Sequence, residues 1–220
     1  MNNSAVLWTG GKDCALAFHK SSIAGYQINY LVTFAPKNPN FLAHSLELIK
    51  MQTESIGIPH LIIEVEAPMN ESYENGIALL KEDYKIDALI TGDIDEIEGH
   101  SNWIVACSKK SQMAVFNPLW KKNREELLKE LIQQKFQVIF TLVKKSFFDS
   151  QWLEKELNKN TLQELKEKLN IDICGENGEY HTMVLNAPFF KKKLVIDSYK
   201  KKEREHFYFS QIQRIKAIDN

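Results

Sequence analysis

The sequence predicts a doubly wound α/β domain on a parallel sheet, followed by a smaller C-terminal α+β subdomain. Up to about residue 120, apolar runs of four to seven residues alternate with amphipathic stretches of ten or more. The glycine pair Gly10-Gly11 punctuates the first run and the first amphipathic stretch. From about Arg124 the pattern changes to charged helices and strands of aromatic and β-branched type. Strand and helix in strict alternation require right-handed crossovers and a sheet covered on both faces. The boundary is placed between 123 and 124, giving domains 1–123 and 124–220.

Taken in order, Ala5 to Thr9 reads as a buried strand and Asp13 to about Ala24 as a helix with its acid in the first turn, where the helix dipole favours it. Gly25 ends that helix. Ile28 to Phe34 is a second strand; Pro36 and Pro39 lie in the following loop, and a helix runs from about Leu42 to Ile56, closed by Gly57-Ile58-Pro59. His60 to Glu66, Asn70 to Tyr84 and Asp87 to Thr91 give the third strand, third helix and fourth strand. A helix from Trp103 to about Lys110 and a strand at Ala114 to Phe116 complete the domain. Beyond it are a helix at Arg124 to Gln134, a strand at Phe136 to Val143, and helices near Gln151 to Leu157 and Leu162 to Leu169. Leu194 to Ile196 and His206 to Phe209 read as strands joined by a lysine-rich turn.

Composition narrows the function classes. With 28 basic and 29 acidic residues the net charge is −1, so no nucleic acid or anionic membrane is demanded as partner. Cys14, Cys107 and Cys174 are too far apart for a CxxC pair, zinc spacing or disulfide ladder, which suits a reduced cytoplasmic setting. The first apolar run is interrupted by Lys12-Asp13, which is unlike a signal peptide or membrane span. The lysine runs 191–193 and 200–202 read as solvated turns.

Two stretches carry chemistry. In Thr9-Gly10-Gly11-Lys12-Asp13-Cys14, glycines between strand and helix let backbone N–H groups approach a phosphate at a helix N-terminus. The spacing is not Walker A, because Val6 stands where its first glycine belongs. In a doubly wound sheet, ligands bind at the carboxyl ends of the strands where the winding reverses, so this loop should face Gly92-Asp93-Ile94, the segment leaving strand four. Asp93 could ligate Mg²⁺, accept from a nucleotide, or serve as a cap or Asx turn. The second stretch is Cys174 to Thr182, CGENGEYHT. Its glycines, Gly175 and Gly178, permit a tight loop, on which Glu176 and Glu179 could hold a metal, orient an amine or take its proton, or simply face solvent. Met183 to Leu185 reads as a strand behind it. His44 and His100 are further candidates near the crevice, and Trp103 and Trp120 are packing residues with the option of stacking on a base.

TGGKDC resembles the SGGKDS loop of the ATP pyrophosphatases, with Thr9 and Cys14 in the hydroxyl positions. Together with GDI at 92–94, NPLW at 117–120 and CGENGEYHTMVLNAPFF at 174–190, it resembles the diphthine–ammonia ligase family. The resemblance implies an adenine nucleotide alpha hydrolase-like, Rossmann-like fold and an AMP-forming amide ligase using ATP, Mg²⁺ and ammonia. The acceptor it implies is diphthine on elongation factor 2, and it leaves room for a homodimer. On this resemblance Thr9, Gly10, Gly11, Lys12, Asp13, Cys14, Gly92 and Asp93 bind ATP, with Asp13 and Asp93 as metal ligands. Gly175, Glu176, Gly178, Glu179, His181 and Thr182 take the acceptor or ammonia side. Lys12, Asp13, Glu176 and Glu179 are the catalytic candidates. The segment Gly99-His100-Ser101-Asn102-Trp103 lacks the arginine that follows a histidine in the family. A small carboxylic acid as acceptor, or a non-catalytic ATP-binding regulator, are the alternatives; sulfur transfer to tRNA is opposed by the missing CxxC pair and basic face.

Overall fold

The computed structural model describes residues 3–96 and 102–220. In chain order the elements are β1 (Asn3–Leu7), α1 (Lys12–Ile23), β2 (Gln27–Ala35), α2 (Leu46–Ile56), β3 (His60–Glu64), α3 (Met69–Glu82), β4 (Ala88–Ile90), α4 (Trp103–Ser108) and β5 (Ala114–Phe116). They continue with α5 (Arg124–Gln133), β6 (Gln137–Lys144), a 3-10 turn at Ser150–Trp152, α6 (Lys159–Glu167), β7 (Tyr180–Asn186), β8 (Lys192–Glu203) and β9 (Phe207–Asp219). Two compact units divide the described residues: 3–9, 13–40, 58–96 and 102–121 form the first, and 10–12, 41–57 and 122–220 the second.

The first unit is the predicted α/β fold. Its five strands are parallel in the order β3-β2-β1-β4-β5. The winding therefore reverses between β1 and β4, the two strands the sequence places beside the ligand crevice. Ala5, Val32, Ile63, Leu89 and, from the helices, Ile77, Leu80, Ile104 and Cys107 form one buried core. Each buried aliphatic side chain contributes about 1.5–3 kcal/mol, so the sheet is held chiefly by this cluster. His60 bonds Thr33 Oγ1 at 2.8 Å, and because that hydroxyl already donates to Trp8 O at 2.6 Å, the imidazole Nε2–H is the donor.

The second unit is an antiparallel sheet in the order β7-β6-β9-β8 with α2, α5 and α6. Phe140, Phe148, Trp152 and Tyr180 pack edge to face in its core, with centroids 4.8–6.0 Å apart. The helix after β2 was expected to cover the parallel sheet; it instead belongs to this unit, packing on β8 and β9. Its buried face, with Leu48, Ile49, Gln52 and Ile56, explains the assignment.

Local differences from the expectation have local causes. The α2 helix begins at Leu46, not Leu42, because Ser45 caps it by accepting from Leu48 N at 3.3 Å. The helix predicted near Gln151 to Leu157 is absent. After the 3-10 turn, Glu154 takes φ +65° and the chain runs extended, with Glu154 N and Leu157 N donating to Phe140 O and Val138 O. Tyr180 to Thr182, read as loop, lie in β7. The lysines at 192–193 and 200–202 lie in β8, and the chain reverses at 204–206. Two strands of 12 and 13 residues form this hairpin, longer than predicted because the end of β8 is lysine-rich and exposed and the isoleucines of β9, Ile212, Ile215 and Ile218, recur every third residue instead of alternating.

Candidate functional site

In the first unit the carboxyl ends of β1 and β4 bring Thr9, Asp13 and Cys14 together with Gly92 and Asp93. Thr9 Oγ1 lies 3.7 Å from Cys14 Sγ. Gly92 sits against the start of α1: a Cβ there would stand 2.6 Å from Asp13 C and 2.7 Å from Cys14 N. Both are backbone atoms, so only glycine fits. The Asp93 Oδ2 atom accepts from Thr91 Oγ1 at 2.5 Å and from Asn102 Nδ2 at 2.6 Å. Asn102 also caps α4, accepting from Val105 N at 2.9 Å. The NPLW segment is tied to the same strand end, with Lys121 N donating to Ile94 O at 2.7 Å. Lys121 pairs with Asp95 and lies 5.6 Å from the Trp120 ring centroid. Trp103 is exposed and meets Tyr73 edge-on at 5.9 Å. His100 and Ser101 lie outside the described residues.

In the second unit the rest of the glycine loop meets the CGENGEYHT segment, more than 160 residues away in sequence. Val184 N donates to Gly10 O at 3.0 Å, and Lys12 N donates to Thr182 Oγ1 at 3.2 Å. The Lys12 side chain is only 4 % exposed; its Nζ donates to Cys174 O at 2.5 Å and lies 5.2 Å from the Tyr180 ring centroid. A buried ammonium needs such partners, since desolvation without them costs several kcal/mol. Gly10 has φ +81°, and a Cβ on it would meet Gln52 Oε1 at 2.5 Å. A Cβ on Gly11 would be 3.3 Å from Thr182 O and 3.4 Å from His44 Cε1.

Glu179 organises the second loop from inside. It is 2 % exposed, and its two carboxylate oxygens accept from Asp172 N at 2.7 Å and Asn177 N at 2.9 Å. Asp172 in turn accepts from Cys174 N at 2.7 Å and from Arg124 Nε at 3.1 Å. Gly175 and Gly178, at φ +81° and +75°, make the turns between these anchors. Glu176 is half-buried on the turn. His181 reaches solvent on one side, yet desolvation and, after it, the nearby Lys12 ammonium hold its imidazole below the ordinary histidine value.

Gln52 and His44 join the candidates from α2 and the segment before it. Gln52 is fully buried, and its Nε2 donates to both Gly10 O at 3.0 Å and Val184 O at 2.7 Å. Its only sequence signal is an amide among the apolar positions of an amphipathic helix. His44, expected at the start of that helix, precedes the Ser45 cap and meets His181 edge-on with ring centroids 5.6 Å apart. Among the described residues no group of three or more His, Cys, Asp and Glu could hold a metal ion, and no helix is long and apolar enough to cross a membrane. All three cysteines are buried, and none forms a disulfide.

The fold and these loops define an α/β protein with a glycine loop at the carboxyl end of its first parallel strand and an antiparallel C-terminal sheet. The chain belongs to the diphthamide synthase family: the N-terminal domain of diphthamide synthase matches residues 2–115 and the C-terminal domain matches residues 123–218. Among curated relatives, diphthine–ammonia ligase of Bos taurus is 27 % identical over 221 residues, covering 88 % of this chain and 82 % of that protein. Its Homo sapiens counterpart is 26 % identical over 224 residues with the same coverage. A solved structure titled as a predicted subunit of tRNA methyltransferase from Methanocaldococcus jannaschii aligns over 86 % of this chain and 98 % of its own at TM-score 0.49 and 17 % identity, a likeness too distant to carry function.

Proposed function

We propose that this chain is an ATP-dependent, AMP-forming amide ligase of the diphthine–ammonia ligase type, acting in the cytoplasm, with 1–123 as its ATP-binding part and 124–220 as its acceptor-binding part. The observation that carries the reading is the attachment of Gly10 and Lys12 to Thr182, Val184 and Cys174, which joins the two family motifs within one unit. In the proposed reaction an acceptor carboxylate oxygen attacks the α-phosphorus of ATP and pyrophosphate leaves. Ammonia then attacks the acyl carbon, AMP leaves, and the nitrogen gives up its surplus proton.

Charge builds on the departing pyrophosphate, and preorganised donors at such a position are worth about 3 kcal/mol each. Gly10, Gly11 and Lys12 take this role, with Thr9, Cys14, Gly92 and Asp93 bordering the nucleotide. An ammonium has three N–H donors, so the Lys12 bond to Cys174 O is compatible with a phosphate contact. Glu176 takes the proton of the incoming amine, with His181 and Thr182 beside the acceptor; Glu179 serves the same side by holding the turn that presents Glu176. Mg²⁺ would neutralise phosphate charge. Asp93 suits it as a single carboxylate contact through the oxygen not shared by Thr91 and Asn102, with Asp13 as the second candidate, and a phosphate-bridging Mg²⁺ takes one or two carboxylates.

A second acceptor is favoured by one observation: Ser101 stands where the family pattern has arginine, a planar charged fork that Ser does not replace. The deciding experiment incubates the protein with ATP, Mg²⁺ and ammonium, with and without diphthine-bearing elongation factor 2. AMP and pyrophosphate that depend on the factor support the ligase reading. Turnover that depends instead on a small carboxylic acid moves the acceptor. ATP binding with no turnover under any condition refutes the ligase and leaves a regulator.

A further inference from the structure

We infer that Gln52 is a positioning residue that sets the spacing between the glycine loop and the strand carrying His181 and Thr182; this rests on the ligase reading above. The Gln52 amide is fully buried, and two carbonyl oxygens, Gly10 O and Val184 O, converge on one group. Only the amide NH₂ supplies two donors there; a carboxylate supplies none and a protonated carboxyl one. Gly10 O also accepts from Val184 N, so the loop and β7 are tied twice at the same carbonyl. The Gln52 side chain also fills the space a Cβ on Gly10 would need. One residue thus sets the conformation of Gly10, the register of the loop on β7 and, through β7, the placement of Thr182 Oγ1 under Lys12 N. Burial of a primary amide on the apolar face of a helix is costly unless its bonds are made, which marks the position as one with a specific task.

The test uses the full chain with Gln52→Glu and Gln52→Leu. Both remove the two donors at neutral pH, and the first keeps the side chain's shape. A displacement of about 1 Å costs on the order of 100-fold in rate, so at pH 8 both variants are expected to lose about 10- to 100-fold in kcat for AMP formation with KM for ATP changed far less. Gln52→Glu should regain part of its kcat, relative to the wild type, as pH falls and its carboxyl takes up a proton; Gln52→Leu should show no such recovery, a split that general loss of structure does not produce. Amide hydrogen exchange on the protein without ATP is the second readout. Exchange at Gly11, Lys12 and Val184 should rise together, while Leu142 to Lys144, paired with β9, keep wild-type protection. Variants with kcat within 2-fold of wild type and unchanged exchange would overturn the inference. If the wild type itself forms no AMP with any acceptor, the ligase reading fails, and the exchange measurement alone then decides whether Gln52 couples loop and strand.

Discussion

Lys12 is a buried cation whose ammonium donates to the Cys174 carbonyl and stands over the Tyr180 ring. These contacts hold the ammonium in place at the glycine loop, which is what a phosphate-binding lysine requires. Lys12→Ala is expected to lower pyrophosphate release by about 100- to 1,000-fold, the usual effect of removing one preorganised donor, while circular dichroism and melting show a folded protein. Unchanged release in that variant would remove the loop from the chemistry. Gly92→Ala acts differently. Its methyl group would press on Asp13 C and Cys14 N, backbone atoms that cannot swing aside. Overpacking of this kind costs about 1–3 kcal/mol, and urea denaturation should register it.

At the scale of the element, the loop from Asp172 to Glu179 is a small structure with its own internal frame. The Glu179 carboxylate replaces the regular ladder by collecting Asp172 N and Asn177 N, and the neighbouring backbone closes Gly175 N on Asp172 O and Gly178 N on Gly175 O. Glu179→Leu leaves two backbone donors without their acceptor, at about 1–3 kcal/mol for each group. It should therefore expose the segment to limited proteolysis before the rest of the second unit. Glu176, on the same turn, is the contrasting case: Glu176→Gln is expected to leave the melting temperature near wild type and to slow amide formation more than ATP binding. Normal amide formation in Glu176→Gln would refute its role.

For the whole molecule, the pH dependence of stability around neutrality draws on three of the shifted groups. Desolvation lowers His60, and desolvation followed by Lys12 lowers His181. Their unfolded values lie near 6.5, so just below that pH the unfolded chain binds more protons and stability rises with pH. The histidine contribution is complete above about pH 6.5 and is lost as pH falls through the folded values. Glu154 runs the other way: burial, the largest cause, raises its carboxyl above the ordinary value, so its contribution is complete at low pH and declines as pH rises through the folded value. Because Glu154 opposes the histidines, the histidine part is read from a variant: between pH 7.5 and pH 5.5 His60→Gln should lose less melting temperature than the wild type. An identical pH dependence in His60→Gln and the wild type would contradict this account.

The sequence by itself determined the parallel sheet, its point of reversal and the two candidate loops, because each leaves a local trace. Buried strands are short apolar runs, helices have a 3.6-residue period, and glycine marks the close approaches at 10, 11 and 92. The tertiary structure alone decided what those local signals leave open. That α2 packs on β8 and β9, that Lys12 finds Cys174 and Thr182, and that a glutamine on a helix holds Gly10 to Val184 are contacts between residues from about 40 to 170 positions apart. Nothing in the local chemistry of either partner specifies the other. The missing helix at 151–157 makes the same point: its residues have helical spacing, but the extended pairing of Glu154 and Leu157 with β6 offers their backbone a non-local partner that no helical period could reveal.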